Sequence, residues 1–443
     1  MPDKEWSAMT PDEKREERFQ RWLNPIGVKF SDAKAEKAYK ERVTRFIKVL
    51  KVQEPDRVPV LLPAGTFPIY NASMTLKDAM HDNKKAVKAY RKFFNEYESD
   101  TFTGGMATSM KSIALIDVLY TKFPGRGLPD TASMHNFVEG EYMFADEYNH
   151  LIDDPSDFFF RKYLPRTLGA LKPFATLEPF GHHLGLPTRF LGAAARPDVQ
   201  AALQAIIDYG KNEAEWNKPM MEFAAEGRAA GYPSFMGGFT GAPFDILADT
   251  LRGTKGIVMD MYRQPDKVHA AMERLVPLMI NAGIQAGANG AGMMVFFALH
   301  KGDDAFMSDK QYETFYWPTF RKVIMGVIEA GMVPYLFAEG KYNNRLKTIQ
   351  DLPKGTVLWY FDQTDMSKAK EVLGGKQCIC GNVPTSLLRT GTKEAVKEYC
   401  RKLIEVCGKG GGYVLAGGAT VDEGNPENMR AMLAAAKEYG VYK

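Results

Sequence analysis

The sequence predicts a (β/α)8 barrel, also called a TIM barrel, in which eight parallel strands alternate with helices. Eight short apolar runs follow residue 55, and most are apolar at successive positions, which is typical of strands buried on both faces of a parallel sheet. From the third run onward each is followed by a helical segment, and this repetition favours a closed barrel over an open sheet. The runs are residues 58–63, 99–103, 233–239, 293–299, 333–338, 357–362, 377–382 and 412–416.

The pattern of residues 1–54 predicts a helical arm outside the barrel. Thr10, Pro11 and Glu13 form a capping-box pattern with proline at the first helical position. A second helix is expected over residues 31–50, with one apolar face made of Tyr39, Val43, Phe46 and Ile47. That face requires a partner surface, either the barrel or a second subunit, so we expect a homodimer.

The barrel is expected to occupy residues 55–443, with an insertion at residues 106–232 after the second strand. The insertion predicts at least two long helices and several loops rich in proline, glycine and aromatic residues. At the carboxyl end of a strand, it would wall or cover an active site. The alternative is two domains divided near Tyr232, but no Ser/Gly-rich linker or charge run marks a boundary there.

Charge and composition exclude several classes of protein. The net charge is +3, and basic residues alternate with acidic ones, so there is no concentrated basic face for nucleic acid. No apolar stretch approaches the ~18 residues of a membrane span, and no apolar signal core is present, so we expect a cytoplasmic protein. Four cysteines suit reduced thiols, and Cys400 and Cys407 share an apolar helical stripe that predicts core packing.

Four ionisable residues follow predicted strands and are our candidates for catalysis. Active sites of barrels of this class lie on the loops after the strands, where burial and mutual charge shift pKa values. His300 and Glu339 follow neighbouring strands and can reach one metal ion or one shared proton. The alternative is a structural His–Glu pair, and Asp362 could equally cap the next helix. The candidates are His300, Asp303, Glu339 and Asp362.

Four further residues are candidates for substrate binding: Tyr70, His182, Phe239 and Asn382. His182 and His183 lie in the insertion, and on a strand they would point to opposite faces, so at most one would face a site. Cys378 and Cys380 would share a face if extended, and a buried pair is favoured over a metal site. Residues 408–412 are glycine-rich but lack the ending of a phosphate loop and precede a strand, which indicates a turn.

The order and spacing of four motifs resemble the uroporphyrinogen decarboxylase superfamily, which includes corrinoid-linked methyltransferases. The motifs are Gly241-Ala-Pro-Phe-Asp-Ile-Leu, Phe306-Met-Ser-Asp-Lys-Gln-Tyr, Cys380-Gly-Asn-Val-Pro-Thr-Ser, and Gly410-Gly-Gly-Tyr-Val-Leu-Ala-Gly with Asn425-Pro-Glu-Asn-Met. The resemblance implies a barrel enzyme over roughly residue 55 to the end.

Two departures from the family pattern narrow the function. Decarboxylases carry arginines after the first strand to bind the acidic tetrapyrrole, whereas residues 62–70 contain none. Thiol-dependent methyltransferases hold zinc with His-x-Cys after the fifth strand and a later cysteine; the matching residues are Phe337, Ala338, Glu339 and Ala419. Only Glu339 could still bind zinc there.

The resemblance therefore implies a methyltransferase. It would move a methyl group from a small methylated substrate, such as a methyl ether or methylamine, to the cobalt of a corrinoid protein. Glu339 and His300 are the candidate ligands if zinc takes part. The alternatives are a decarboxylase or other lyase of a carboxylated substrate, and a non-catalytic binding protein.

Overall fold

The computed structural model describes residues 5–105, 107–287 and 292–443. Met106, where the predicted insertion begins, lies outside the described residues. The arm contains a 3-10 turn (Trp6–Ala8) and helices α1 (Pro11–Leu23) and α2 (Ala33–Leu50). The predicted capping box is confirmed at α1, because the Glu13 amide donates to the Thr10 side chain and the Thr10 amide to Glu13. Helix α2 is capped by Asp32, so it begins two residues later than predicted.

The following segment is mostly helical. It comprises α3 (Phe67–Asn71), α4 (Leu76–His81), α5 (Asn83–Glu96), α6 (Met110–Ile116), α7 (Tyr148–Asp153), α8 (Pro155–Phe158), α9 (Leu164–Thr167), α10 (Pro187–Leu191) and α11 (Pro197–Ala229). A small sheet of β1 (Thr121–Pro124), β2 (Gly127–Leu128) and β3 (Asn136–Phe137) lies between α6 and α7. Turns of 3-10 and π-helix join these helices at Phe159–Tyr163, Gly169–Thr176, Phe180–His183 and Gly192–Ala195.

The second half alternates strands with helices around one parallel sheet. Its six strands are ordered β4-β5-β6-β7-β8-β9 and are all parallel. The strands are β4 (Met236–Thr240), β5 (Met294–Leu299), β6 (Val333–Ala338), β7 (Leu358–Phe361), β8 (Cys378–Cys380) and β9 (Tyr413–Val414).

Helices connect each strand to the next. They are α12 (Pro243–Asp245), α13 (Gly253–Arg263), α14 (Pro265–Gly287), α15 (Asp309–Gln311), α16 (Trp317–Glu329), α17 (Leu346–Ile349), α18 (Met366–Leu373), α19 (Thr385–Thr390), α20 (Lys393–Leu403) and α21 (Pro426–Tyr439), with π-helical turns at Ile246–Leu251, Tyr312–Tyr316 and Ile404–Gly408. Among the described helices, none is both long and apolar enough to cross a membrane.

The strands bury both faces, as their apolar runs predict. Successive residues alternate between two cores, since side chains point to opposite faces of a strand. In β6, Leu336 packs in the outer core among the helices, while Tyr335 and Phe337 pack in the inner core. Cys378 and Cys380 both belong to the inner core, which confirms the predicted buried pair. Cys400 and Cys407 lie in the outer core, as predicted.

The first two predicted strands do not form regular ladders. Residues 58–63 instead form isolated backbone hydrogen bonds with adjacent segments, including one from Leu61 N to Leu415 O (2.9 Å). Asp100 N donates to Val60 O (3.1 Å), and Phe102 N donates to Pro233 O (3.0 Å). The Val60 amide is taken by the Asp100 carboxylate (2.8 Å), so it is withheld from a neighbouring strand.

The arm covers the inner core with its own apolar side chains. Phe19, Trp22, Tyr39, Val43 and Phe46 are all buried in the inner core, in one cluster with strand residues. The Trp22 indole donates to Ser234 O (3.0 Å), beside the start of β4, which places α1 at the amino end of the sheet. The face that motivated the homodimer is therefore covered within the chain, and the homodimer stays a prediction without that support.

Candidate active site

The strand pleat sets which side chains face the centre of the sheet at its carboxyl end. Phe296, Phe337 and Tyr360 are inner-core residues of β5, β6 and β7. Continuing the alternation by two or four residues places His300, Glu339 and Asp362 on this same inner side. The two-residue period of the strands therefore explains why these three predicted residues share one side of the sheet.

His300 is held by an acid that the sequence analysis did not select. Its Nδ1 lies 2.7 Å from Asp249 Oδ2, in the π-helical turn that follows β4 and α12. This bond and the nearby charge of Glu339 raise the pKa of His300 to about 9, although burial opposes the shift. The imidazole is therefore protonated at neutral pH, with Nδ1–H donating to Asp249.

The Glu339 carboxylate lies near Nε2, the second ring nitrogen of His300. The distance from His300 Nε2 to Glu339 Oε1 is 3.7 Å, longer than a hydrogen bond. Both side chains are partly exposed, at 41% and 44%. Burial raises the pKa of Glu339 above its usual range, and the positive His300 opposes that shift. The structure thus brings together the two predicted residues without a hydrogen bond between them.

A second carboxylate, Asp245, fixes the backbone that carries His300. It accepts from the amides of His300 (3.3 Å) and Lys301 (3.0 Å) and from the Tyr316 hydroxyl (2.6 Å). Asp245 is buried, and burial together with the neighbouring Asp249 raises its pKa to about 7. It acts on His300 through the main chain.

Asp303 is placed apart from His300, in the loop after β5. Its carboxylate accepts from the amides of Ala305 (2.9 Å) and Phe306 (2.9 Å), as in a turn cap. Its other oxygen accepts from the Lys341 amide (3.3 Å). Gly340 has φ +75°, and a side chain there would collide with Asp303, so the two loops approach closely at this glycine.

Asp362 and Asn382 also bind main-chain groups. Asp362 accepts from the Gly340 amide (3.0 Å), and burial raises its pKa. The alternative that Asp362 caps the next helix is wrong, because Asp365 caps α18. Asn382 is buried and donates to Thr364 O (2.7 Å). Both residues line a second cavity, of about 650 Å³, between the loops after β7 and β8.

A cavity of about 440 Å³ lies in front of His300. Phe239, a predicted substrate-binding residue, lines it and is 62% exposed. Aromatic residues of the predicted insertion supply much of the remaining wall: Tyr120, Phe137, Tyr142 and Tyr163. The polar side chains at this cavity include His300, Asp249, Asp245, Lys301 and Glu139.

Tyr70 and His182, both described by the structure, do not line this cavity. Tyr70 lies in α3, where its hydroxyl approaches Ala132 O at 3.5 Å. His182 is exposed in the 3-10 turn Phe180–His183, so the strand geometry considered for the two histidines is wrong. His183 is the buried one and lies 3.4 Å from Glu178.

The fit of the site to zinc is incomplete. Within the described residues, no group of three or more His, Cys, Asp or Glu side chains is arranged to hold a metal ion. A catalytic zinc normally has three protein ligands, and here Asp249 is already bonded to Nδ1 of His300. Cys378 and Cys380 are buried in the inner core, and burial raises the pKa of both thiols. The described residues therefore fit a shared proton better than a zinc ion.

Asp249 and Lys301 line the cavity beside His300 but were not among the predicted site residues. Asp249 lies four residues after Asp245, and this helical spacing puts both acids on one side of the turn that faces His300. Lys301 Nζ lies 3.2 Å from Asp249 Oδ1. The acid spacing was visible in the sequence, but the contact with His300 depends on how β4 and β5 pair.

Comparison with known proteins supports the superfamily resemblance. Residues 228–439 match the family model described as uroporphyrinogen decarboxylase (URO-D). A uroporphyrinogen decarboxylase of Geobacter metallireducens is 29% identical over 206 residues, which is 44% of this chain and 58% of that protein. One from Danio rerio is 26% identical over 210 residues, 45% of this chain and 55% of that protein. The chain thus matches little more than half the length of these relatives.

A solved structure shares the fold over a larger part of the chain. The methyltransferase from Methanosarcina mazei superposes with a TM-score of 0.58 at 15% identity, covering 89% of this chain and 98% of that protein. At this identity the likeness shows the fold. The predicted resemblance to the uroporphyrinogen decarboxylase superfamily is confirmed by the sequence match.

Proposed function

We propose that this chain, which is similar to the uroporphyrinogen decarboxylase superfamily over residues 228–439, is a methyltransferase. It would move a methyl group from a small methylated substrate to the cobalt of a corrinoid carried by a partner protein. The observation that carries the proposal is His300, protonated and held by Asp249, at the wall of an aromatic cavity of about 440 Å³. The shared fold with a methyltransferase adds support.

His300 is the proposed proton donor to the leaving group. An alkoxide or phenolate leaves slowly unless its developing charge takes a proton. The methyl group would pass to a reduced corrinoid, the co-substrate on the partner protein, whose electron pair would form the new bond to carbon. As the bond from methyl carbon to oxygen breaks, its electron pair stays on oxygen, and the Nε2 proton of His300 passes to that oxygen. Asp249 and Glu339 stabilise the positive imidazole before transfer and hold its orientation.

The other predicted site residues take supporting roles. Phe239 forms part of the wall, and Asp303 and Asp362 hold the loops that carry His300 and Glu339. Asn382 fixes the loop after β8 through Thr364. Tyr70 and His182 lie outside the cavity.

A decarboxylase is the second candidate because the named relatives are uroporphyrinogen decarboxylases. Among the described residues that line the cavity, Lys301 is the only lysine or arginine, and it is paired with Asp249. A substrate with many carboxylates needs several cations. Near the first run, Thr66 donates to Asp422 (2.9 Å), which adds negative charge at that place.

The proposed domain structure is one eight-stranded barrel over residues 55–443, with residues 1–54 as an external arm. Isolated backbone hydrogen bonds at Val60, Leu61 and Phe102 link the first two runs to each other. They also link the first run to the end of β9 and the second run to the segment before β4. We propose that these contacts close the barrel.

The test is methyl transfer to a reduced corrinoid. The full chain is incubated with cob(I)alamin or a corrinoid protein and a panel of methyl ethers and methylamines, and methylation of the corrinoid is followed by its absorbance. The proposal expects turnover with at least one donor and no loss of carboxylate from uroporphyrinogen. Elemental analysis of the same preparation reports any bound metal.

Two results would overturn the proposal. Decarboxylation of uroporphyrinogen without methyl transfer would favour the second candidate. Ligand binding that persists unchanged in the His300→Ala and Glu339→Gln variants, with no turnover of any donor by the unsubstituted protein, would favour a non-catalytic binding protein.

A further inference from the structure

We propose that the substrate is an aryl methyl ether, whose ring packs on the aromatic wall with its ether oxygen directed at His300. The inference rests on the proposed methyl transfer and names the substrate class of that site. Its leaving group is a phenolate.

The wall is built from five rings that come from two parts of the chain. Phe239 belongs to β4 and stacks at a tilt on Phe296, with ring centroids 5.9 Å apart. The other four rings come from the stretch of sequence between the second run and β4: Tyr120, Phe137, Tyr142 and Tyr163. Aromatic pairs prefer offset or edge-to-face packing at centroid distances of about 4.5–7 Å. A planar ligand ring suits such a wall.

The rings are held in two orientations. Tyr142 and Tyr163 meet almost edge to face, with centroids 6.3 Å apart at 81°, and the Tyr142 hydroxyl donates to Val138 O (2.8 Å). Tyr120 and Phe137 are nearly parallel, with centroids 6.5 Å apart at 17°. Phe137 is 67% exposed, so much of its ring is free to cover a ligand.

Aromatic walls also bind quaternary ammonium ions, and the ionisable groups of this cavity are of both signs, with Lys301 and His300 beside Asp249, Asp245 and Glu139. Two cations, Lys301 and the protonated His300, line the same cavity. Asp249 is shared between them, at 3.2 Å and 2.7 Å. Charge alone therefore does not choose between a neutral ring and a cation.

The leaving group distinguishes a methyl ether from a quaternary ammonium ion. A quaternary ammonium ion leaves as a neutral amine and needs no proton in the transition state, so the fixed proton donor would be unused. A phenol has a pKa of about 10, as in tyrosine, so a phenolate takes up a proton at neutral pH. A positioned side chain that gives this proton in the transition state speeds the departure of the phenolate.

The volume agrees with a single substituted ring. Benzene fits a cavity of about 150 Å³, so about 440 Å³ admits one ring with its methoxy group and further substituents. In the reaction the bond from methyl carbon to ether oxygen breaks, the oxygen keeps its electron pair, and it receives the Nε2 proton of His300.

Binding is tested by calorimetry on the full chain without any corrinoid. The probes are 2-methoxyphenol, methoxycyclohexane, which has the same methoxy group but no aromatic ring, and tetramethylammonium. We expect 2-methoxyphenol to bind at least tenfold more tightly than either of the others. Phe137→Leu and Phe239→Leu should each weaken that binding at least threefold, because each removes an exposed ring without emptying a core.

The matched control is Phe180→Leu, a partly exposed phenylalanine of the same part of the chain that does not line the cavity. It should bind 2-methoxyphenol as the unsubstituted protein does. Tighter binding of tetramethylammonium, equal binding of the two methoxy probes, or no binding of 2-methoxyphenol overturns the inference. Binding of 2-methoxyphenol without methyl transfer to cob(I)alamin would contradict the proposed function while supporting the ligand preference.

Discussion

The two ends of the parallel sheet use the same strand pleat for different purposes. At the amino end, Phe19, Trp22 and Phe46 of the arm cover the inner core, and all three are buried. At the carboxyl end, the inner positions continue into His300 and Glu339, which are each more than 40% exposed. The difference shows that the arm covers the amino end of the sheet, whereas the carboxyl end, where the active sites of (β/α)8 barrels lie, stays open.

The charges at the two ends differ in the same way. Near the amino end, buried Asp100 accepts from the Val60 amide and is paired with Arg45 (2.7 Å) and Arg57 (2.7 Å). That carboxylate has its partners within the protein. At the carboxyl end, His300 Nε2 has Glu339 at 3.7 Å, beyond hydrogen-bond distance. A buried and fully paired charge cluster indicates a structural role, whereas a half-paired one can give its proton to a substrate.

The largest effect on folding is expected at the amino end. Phe46→Ala removes a fully buried ring that packs on Phe235, with centroids 4.9 Å apart. We expect a loss of about 3–5 kcal/mol in the free energy of unfolding, from lost burial and the cavity left behind. Urea unfolding measures this, and turnover per folded molecule should stay within a factor of two. A hundredfold loss of turnover in folded protein would show that the arm shapes the site.

A shift in pH dependence is expected from Asp249→Asn. The bond to Asp249 is the largest cause of the raised His300 pKa, so the variant should lower that pKa from about 9 toward its usual 6.5. A proton donor is active below its pKa, so the loss of rate at high pH should begin at a lower pH in the variant. The pH profile of kcat measures the shift, and an unchanged profile would contradict the assignment of His300 as the acid.

The raised pKa of His300 also determines how the stability of the protein changes with pH. The folded pKa of His300 lies above its unfolded value, so the stabilisation from its acidic neighbours is fully present below about pH 6.5. It is lost as the pH rises through about 9. Unfolding midpoints across this range should show the loss in the unsubstituted protein and a smaller loss in Asp249→Asn.

The smallest effect is expected from Asp303→Ala. The variant removes a cap from the amides of Ala305 and Phe306, which should lower the free energy of unfolding by about 1 kcal/mol. Turnover should fall less than tenfold, because the carboxylate binds main-chain groups. Asp303→Asn, which keeps an acceptor oxygen, is the matched control. A loss as large as that of a His300 variant would make Asp303 catalytic.

The sequence predicted the later strands and the residues at their ends better than it predicted the first two strands. The six regular strands lie in apolar runs whose period of two also points His300 and Glu339 inward. The first run is as apolar as the later ones. However, the Val60 amide donates to the Asp100 side chain and not to a neighbouring strand, and an apolar pattern does not reveal such a side-chain hydrogen bond. The partner of His300, Asp249, depends on strand pairing and so required the structure.

The central claim is that the half-paired His300 and Glu339 carry the chemistry at the open end. The direct test compares turnover and melting temperature in His300→Ala and Glu339→Gln with the unsubstituted protein, using the methyl donor found active. We expect at least about a hundredfold loss of kcat in both variants with little change in melting temperature. If both variants lose stability and keep their rate, the pair is structural and the active site lies elsewhere.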